Sequence, residues 1–163
     1  MEDSRKQMAI AAGAGALLLL IFLGYLTHLN GQGPVLSRSD ERDPLSGVPN
    51  SISLNPLRDR GSEHAASKYL KIMRDGNCQS QLADMEKDYR RKYAGFICDS
   101  EMQHPLISWT LVDWDDQPPL RILQYRGKRF SDATRKNTYE ELLSLTLTNK
   151  EGGWKVTKYD AMY

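Results

Sequence analysis

The chain has 163 residues, and its 22 Lys and Arg nearly balance 21 Asp and Glu, a formal net charge of +1. That balance leaves no single-sign field to hold a nucleic acid or an acidic polymer. Outside the first apolar run, roughly 135 residues suffice for one linker and one domain, and not for two.

Residues 8–26, MAIAAGAGALLLLIFLGYL, carry no charge. As a helix this run reaches ~28 Å, close to the ~30 Å hydrocarbon core of a bilayer. A buried helix of a soluble protein normally keeps a polar face, and this one has none. A cleavable signal is disfavoured, because the run exceeds a usual h-region and no A-x-A-like site follows Gly24-Tyr25-Leu26. The reading is an uncleaved signal anchor that meets the lipid bilayer through residues 8–29, with Tyr25 at aromatic-belt depth. Arg5 and Lys6 precede the span and Arg38 is the first basic residue after it. The positive-inside rule therefore puts residues 1–7 in the cytoplasm and the rest outside, in a single-pass protein of the cell (inner) membrane. Ala11 and Gly15 have the small-xxx-small spacing that lets membrane helices pack closely, although low-volume apolar filler gives the same spacing.

Residues 30–61 are dense in Gly, Pro, Ser and mixed charge, with no sustained apolar period. Such a stretch reads as a flexible tether, with docking of the small apolar cluster Ile52, Leu54 and Leu57 onto the domain or a partner as the other reading.

Helical signals then start at Ser62, a good N-cap residue followed by Glu63. Ala66, Tyr69, Leu70 and Met73 repeat at helical spacing until Asp75-Gly76. A second helix is expected from the cap residue Asn77 through Cys78, Leu82, Met85, Tyr89 and Tyr93, broken or kinked at Gly95. Its basic run from Lys87 to Tyr93 reads as a solvated face, with a partner or lipid-headgroup patch as the other reading.

After Pro105 the period changes from 3.6 to 2. Leu106–Trp114 and Leu120–Arg126 read as strands around an Asp115–Pro119 turn, with Arg126–Arg129 and Ser131–Asn137 as loop or weak edge. From Tyr139, Leu143, Leu145 and Leu147 alternate with Ser144, Thr146 and Thr148, and a Gly152-Gly153 turn leads into Trp154–Tyr159. Helices followed by antiparallel strands define an α+β domain over residues 62–163, two or three helices on a curved sheet of about four strands.

Cys78 and Cys98 are the two cysteines. Outside the cytosol a bridge between them is permitted, and two buried free thiols is the other reading. Neither their spacing nor any His, Asp or Glu cluster makes a metal site, and no cofactor motif is present. Asp113 and Asp115 share one strand face and read as solvent-facing carboxylates near a turn. No nucleophile elbow or phosphate loop occurs, so no catalytic residue is assigned.

The helix-to-helix stretch YLKIMRDGNCQSQLADM and the closing hairpin SLTLTNKEGGWKVTKY resemble the nuclear transport factor 2-like, cystatin-like superfamily, in particular its membrane-anchored bacterial members. The resemblance spans residues 62–163 and implies a cone-like roll with a pocket, its sheet face serving dimerisation or docking. Trp109, Trp114, Tyr125 and Trp154 are the aromatic residues expected to line such an interaction surface. Superfamily enzymes place an Asp/His pair in the cone; of His28, His64 and His104, only His104 lies near the strands. The functional expectation is a domain displayed outside the cytosol for a protein partner or homo-oligomer, with a tethered small-ligand carrier or enzyme as the alternative.

Overall fold

The computed structural model describes residues 2–150 and 152–162, without the side chains of residues 2–11, 30 and 150. The chain divides into two compact units, Met1–Ser37 with Leu54–Asp59, and Arg38–Ser53 with Arg60–Tyr163.

The first unit is built on helix α1, Glu2–Gln32. It extends past the apolar run at both ends, because residues 2–7 contain no helix breaker and the first strong one is Gly33-Pro34. Over Ala12–Leu29 the helix is long and apolar enough to cross a membrane, and none of that stretch is buried. Arg58 Nη1 donates to the Gly31 carbonyl at 2.6 Å, placing a cation at the negative end of the helix dipole. The Ala11 side chain lies outside the described residues, and Gly15 is exposed.

In the second unit the elements are α2 (Gly61–Arg74), α3 (Cys78–Leu82), α4 (Lys87–Gln103), β3 (Leu106–Gln117), β4 (Leu120–Phe130), β5 (Thr138–Lys150) and β6 (Gly153–Met162). The four strands form one antiparallel sheet in the order β3-β4-β5-β6, and the sheet does not close into a barrel. Two short strands, β1 (Leu36–Arg38) and β2 (Ile52–Leu54), make a separate two-stranded sheet. This is the α+β layout that the period change at Pro105 announces.

The core lies between α2 and the inner sheet face. Ala66, Tyr69, Leu70 and Met73 come from the helix, and Leu123, Tyr125, Leu143, Leu145, Leu147, Val156 and Tyr159 from the strands, all buried. At Gly127 the Leu143 side chain of β5 takes the space of a side chain: a Cβ there would lie 2.7 Å from Leu143 Cδ1, so the leucine would have to shift.

Several local readings need correction. Helix α2 has Arg60 at its N-cap, and Ser62 is buried within the first turn, accepting from Arg121 Nη1 at 3.0 Å. The expected single helix from Cys78 to Tyr93 is two. It breaks over residues 83–86, where Met85 is buried and the Glu86 N–H donates to the Thr157 carbonyl at 3.2 Å. Helix α4 runs unbroken through Gly95, which is exposed with open space around it. There a glycine costs about 1 kcal/mol in helix propensity, less than packing and covalent ties elsewhere in the helix supply. Strand β4 continues to Phe130 instead of ending at Arg126, because Gly127 and Arg129 face the core.

The stretch read as a tether is largely folded. Arg38–Ser53 forms a strap over the outer sheet face, with Val48 only 3% exposed. Arg38 Nη1 reaches Asp113 Oδ1 at 2.6 Å, and Arg42 Nη1 lies 3.5 Å from Asp113 Oδ2. Buried Val48 and Pro49 and the long-range charges of Arg38, Arg42 and Asp113 hold it, a pattern with no periodicity to read.

Candidate interaction surface

Alternation along β4 puts Leu123, Tyr125, Gly127 and Arg129 on the inner face. Arg129 is 1% exposed and is the largest fully buried side chain. Its Nη1 donates to Glu101 Oε2 at 2.7 Å and to the His104 carbonyl at 2.6 Å. Its Nη2 donates to Glu101 Oε1 at 2.9 Å and to the Tyr159 hydroxyl at 2.7 Å, and Nε donates to Glu141. Two carboxylates thus share one guanidinium. Burial pushes Glu101 above the usual carboxylate range, with Arg129 opposing it. Burial alone would lower Arg129, but Glu101, Tyr159 and Glu141 more than offset it and keep the cation charged. The cluster fills the end of the roll and ties α4 to β4 and β5, so its polar groups support the fold and face no solvent.

A second arginine organises the opposite end. The Arg121 guanidinium lies 4.6 Å from the ring centroids of both Trp114 and Trp154. It also binds Asp116 through two bonds of 3.0 and 2.9 Å. A cation between two indoles fastens β3, β4 and the β6 end of the hairpin together.

These contacts place the four aromatic residues expected at a surface. Trp114 and Tyr125 are buried in the core and offer no face to a partner. Burial pushes the Tyr125 phenol up, and its hydroxyl has no partner among the described residues. Trp109 and Trp154 are half-buried, Trp109 with Arg74 5.8 Å from its ring centroid. Cys78 and Cys98 form a disulfide with their Cα atoms 5.6 Å apart, linking α3 to α4. Asp113 is a clamp for the strap; burial works to raise it, but the Trp114 N–H and the Arg38 and Arg42 guanidiniums hold it below the usual carboxylate range. His104 stands edge-on to Tyr139 at 6.0 Å. Among the described residues no group of three or more His, Cys, Asp or Glu is placed to hold a metal ion.

The described residues leave several accessible hollows, one of about 470 Å³ between the strap and β3, lined by Val48, Ile52, Thr110 and Val112. Between α2, α3 and the start of β6 lies a groove of about 500 Å³, lined by Tyr69, Ile72, Trp154 and Val156 with Lys68 and Asp84. On the outer sheet face a groove of about 440 Å³ runs between the strap and β6, lined by Leu45, Val48, Leu142 and Met162. Beside α4 a smaller hollow of about 170 Å³ is bordered by Tyr89, Tyr93 and Phe96, of which Phe96 is 72% exposed. Both sheet edges are blunted. Outward carbonyls of β6 accept from Glu86 N–H and from the Tyr89 hydroxyl, and the Trp114 carbonyl of β3 accepts from Arg38 at 3.4 Å. Sequence reading missed Arg121, Arg129 and Leu45; only Arg129 left a signal, as the fourth member of an alternating row.

Among the described residues, one unit is an α+β domain with a four-stranded antiparallel sheet and the other carries an exposed apolar helix. Among solved structures the chain is similar to a designed nuclear transport factor 2-like protein, at 17% identity and a TM-score of 0.48, over 61% of this chain and 99% of that one. It is also similar to the intermembrane space region of chloroplast protein ARC6, at 10% identity and a TM-score of 0.40, over 63% of this chain and 95% of that one. These likenesses concern fold alone. No family model matches the chain, and no curated protein matches it.

Proposed function

We propose that this chain is a single-pass membrane protein whose α1 stays in the bilayer, with residues 1–7 in the cytoplasm and the α+β domain outside it, displayed for protein–protein interaction. The observation that carries the reading is α1 itself: its leucines, isoleucine and phenylalanine from Leu17 to Leu23 are 48–66% exposed, which water does not tolerate over such a length. The domain adds a core filled to the Arg129 cluster and exposed apolar groups on its flanks, an arrangement suited to docking more than to turnover. In this reading the Cys78–Cys98 bridge belongs to the oxidising side of the membrane, and the chain between α1 and the strap is a short link, where the sequence suggested a tether over residues 30–61. Ala11 and Gly15 remain the proposed helix-packing pair within the bilayer.

Photo-crosslinkers placed at exposed domain positions in native membranes test this. A discrete protein adduct is expected from at least one face, and absence of any adduct from every face contradicts it. The groove beside α2 favours a second reading, a tethered carrier of a small apolar ligand, because its volume falls in the ~300–1,000 Å³ range of ligand sites.

A further inference from the structure

The groove between α2, α3 and the start of β6 lies beside the core, since Leu70, Leu145 and Leu147 fill the space between α2 and the sheet. Its apolar wall follows from helical spacing. Ala65, Tyr69 and Ile72 stand four and then three residues apart on α2, so they share one side of that helix, and Val156 of β6 completes the lining.

Polar groups interrupt this wall at two depths. Gln81 borders the groove although it is only 2% exposed, and its Nε2 donates to the Tyr69 hydroxyl at 3.0 Å. The other end of the amide, Oε1, has no hydrogen-bond partner among the described residues, which leaves one deep acceptor for whatever enters. At the rim, Lys155 Nζ meets Asp84 Oδ1 at 3.0 Å, so those two charges cancel. Lys68 is exposed on the same side of α2 as Ala65 and Ile72, and it has no ion-pair partner among the described residues. The rim therefore carries a net positive charge and favours an anionic group on the ligand.

Trp154 sets the shape of the body between acceptor and cation. The Arg121 guanidinium lies 4.6 Å from its ring centroid, and a cation against an indole draws on its π density. An indole polarised in this way prefers an electron-rich ring, stacked or edge-on, to an alkyl chain.

We propose that this groove binds a small planar heteroaromatic acid, with a ring N–H or O–H on Gln81 Oε1, the ring against Trp154 and the carboxylate at Lys68. The proposal rests on the second reading above, the tethered carrier, and names its ligand class. The test is calorimetric titration of the full-length chain in phosphatidylcholine nanodiscs with indole-3-acetate as the probe, the heat from empty nanodiscs subtracted. Saturable binding to one site is expected. Lys68→Glu and Gln81→Met should each weaken it about tenfold or more with circular dichroism unchanged, and Lys68→Arg should retain it. Indole, which lacks the carboxylate, and 1-naphthaleneacetate, which lacks the ring N–H, should each bind about tenfold more weakly or worse. Absence of saturable indole-3-acetate binding, or binding indifferent to Lys68→Glu, overturns the proposal; Lys68 is exposed, so that variant does not depend on the core refolding around it. Saturable binding of octanoate that Ile72→Glu abolishes, without binding of indole-3-acetate, overturns the aromatic acid and leaves the carrier reading standing. Binding of neither probe overturns both.

Discussion

Replacing Arg129 by Met removes the cation that pairs with both Glu101 and Glu141 while keeping most of the side-chain volume. The wild-type guanidinium, 1% exposed, donates to both carboxylates, to the Tyr159 hydroxyl and to the His104 carbonyl. Breaking a buried pair from one side costs about 3–5 kcal/mol, because it strands uncompensated charge. Against a total of about 5–15 kcal/mol for a domain, that loss is about a fifth of the stability or more. At about 1–3 kcal/mol per molar urea, the unfolding midpoint should fall by at least about 1 M. Urea titration of the full chain in detergent micelles, followed by near-ultraviolet circular dichroism of Trp109, Trp114 and Trp154, reads this directly. The deficit should also depend on pH. Burial already raises Glu101, and a carboxyl group with a raised folded-state pKa contributes most below its unfolded value, here 4.5, and loses that contribution as pH rises through the folded one. Without the guanidinium the rise is larger, so Arg129→Met should be most damaging at neutral pH and progressively less so toward pH 4.5. A loss below about 1 kcal/mol, or one that does not change with pH, would refute the reasoning that the cluster is a charge-balanced core.

Two further outcomes follow from the strap and the bridge. Asp113 has a depressed pKa, so its contribution is present above its ordinary value of 3.8 and lost as pH falls through the folded one. Asp113→Asn should reproduce that loss at neutral pH, speeding amide hydrogen exchange across Arg38–Ser53 while costing about 1 kcal/mol or less overall, since both arginines are substantially exposed. Replacing Cys78 and Cys98 by Ser frees a loop of 20 residues and should lower stability by about 3 kcal/mol. Thiol titration of the unfolded native protein should meanwhile find no free cysteine.

What was legible in the sequence was whatever repeats locally. Ala66, Tyr69, Leu70 and Met73 mark the buried side of α2, the Leu143, Leu145 and Leu147 row marks the inner face of β5, and Asn77 caps α3 by accepting from the Ser80 N–H at 3.1 Å. Features made by distant partners were not. Arg129 sits in a Arg-Gly-Lys-Arg run that looks like a basic loop, and only folding brings Glu101, 28 residues away, to its fork. The strap depends on Asp113, 75 residues from Arg38, and the Trp114–Arg121–Trp154 stack on a pairing across three strands. Aromatic residues were easy to find and hard to place, since Trp114 and Tyr125 satisfy the same alternation whether the face they share is wet or dry.

Alkaline carbonate extraction of native membranes, joined to protease treatment of intact spheroplasts, tests the central claim most directly. The account predicts that the full-length chain stays in the membrane pellet and that external protease removes the α+β domain. Recovery of the chain in the carbonate supernatant, or a domain that protease cannot reach until the cells are lysed, would contradict it.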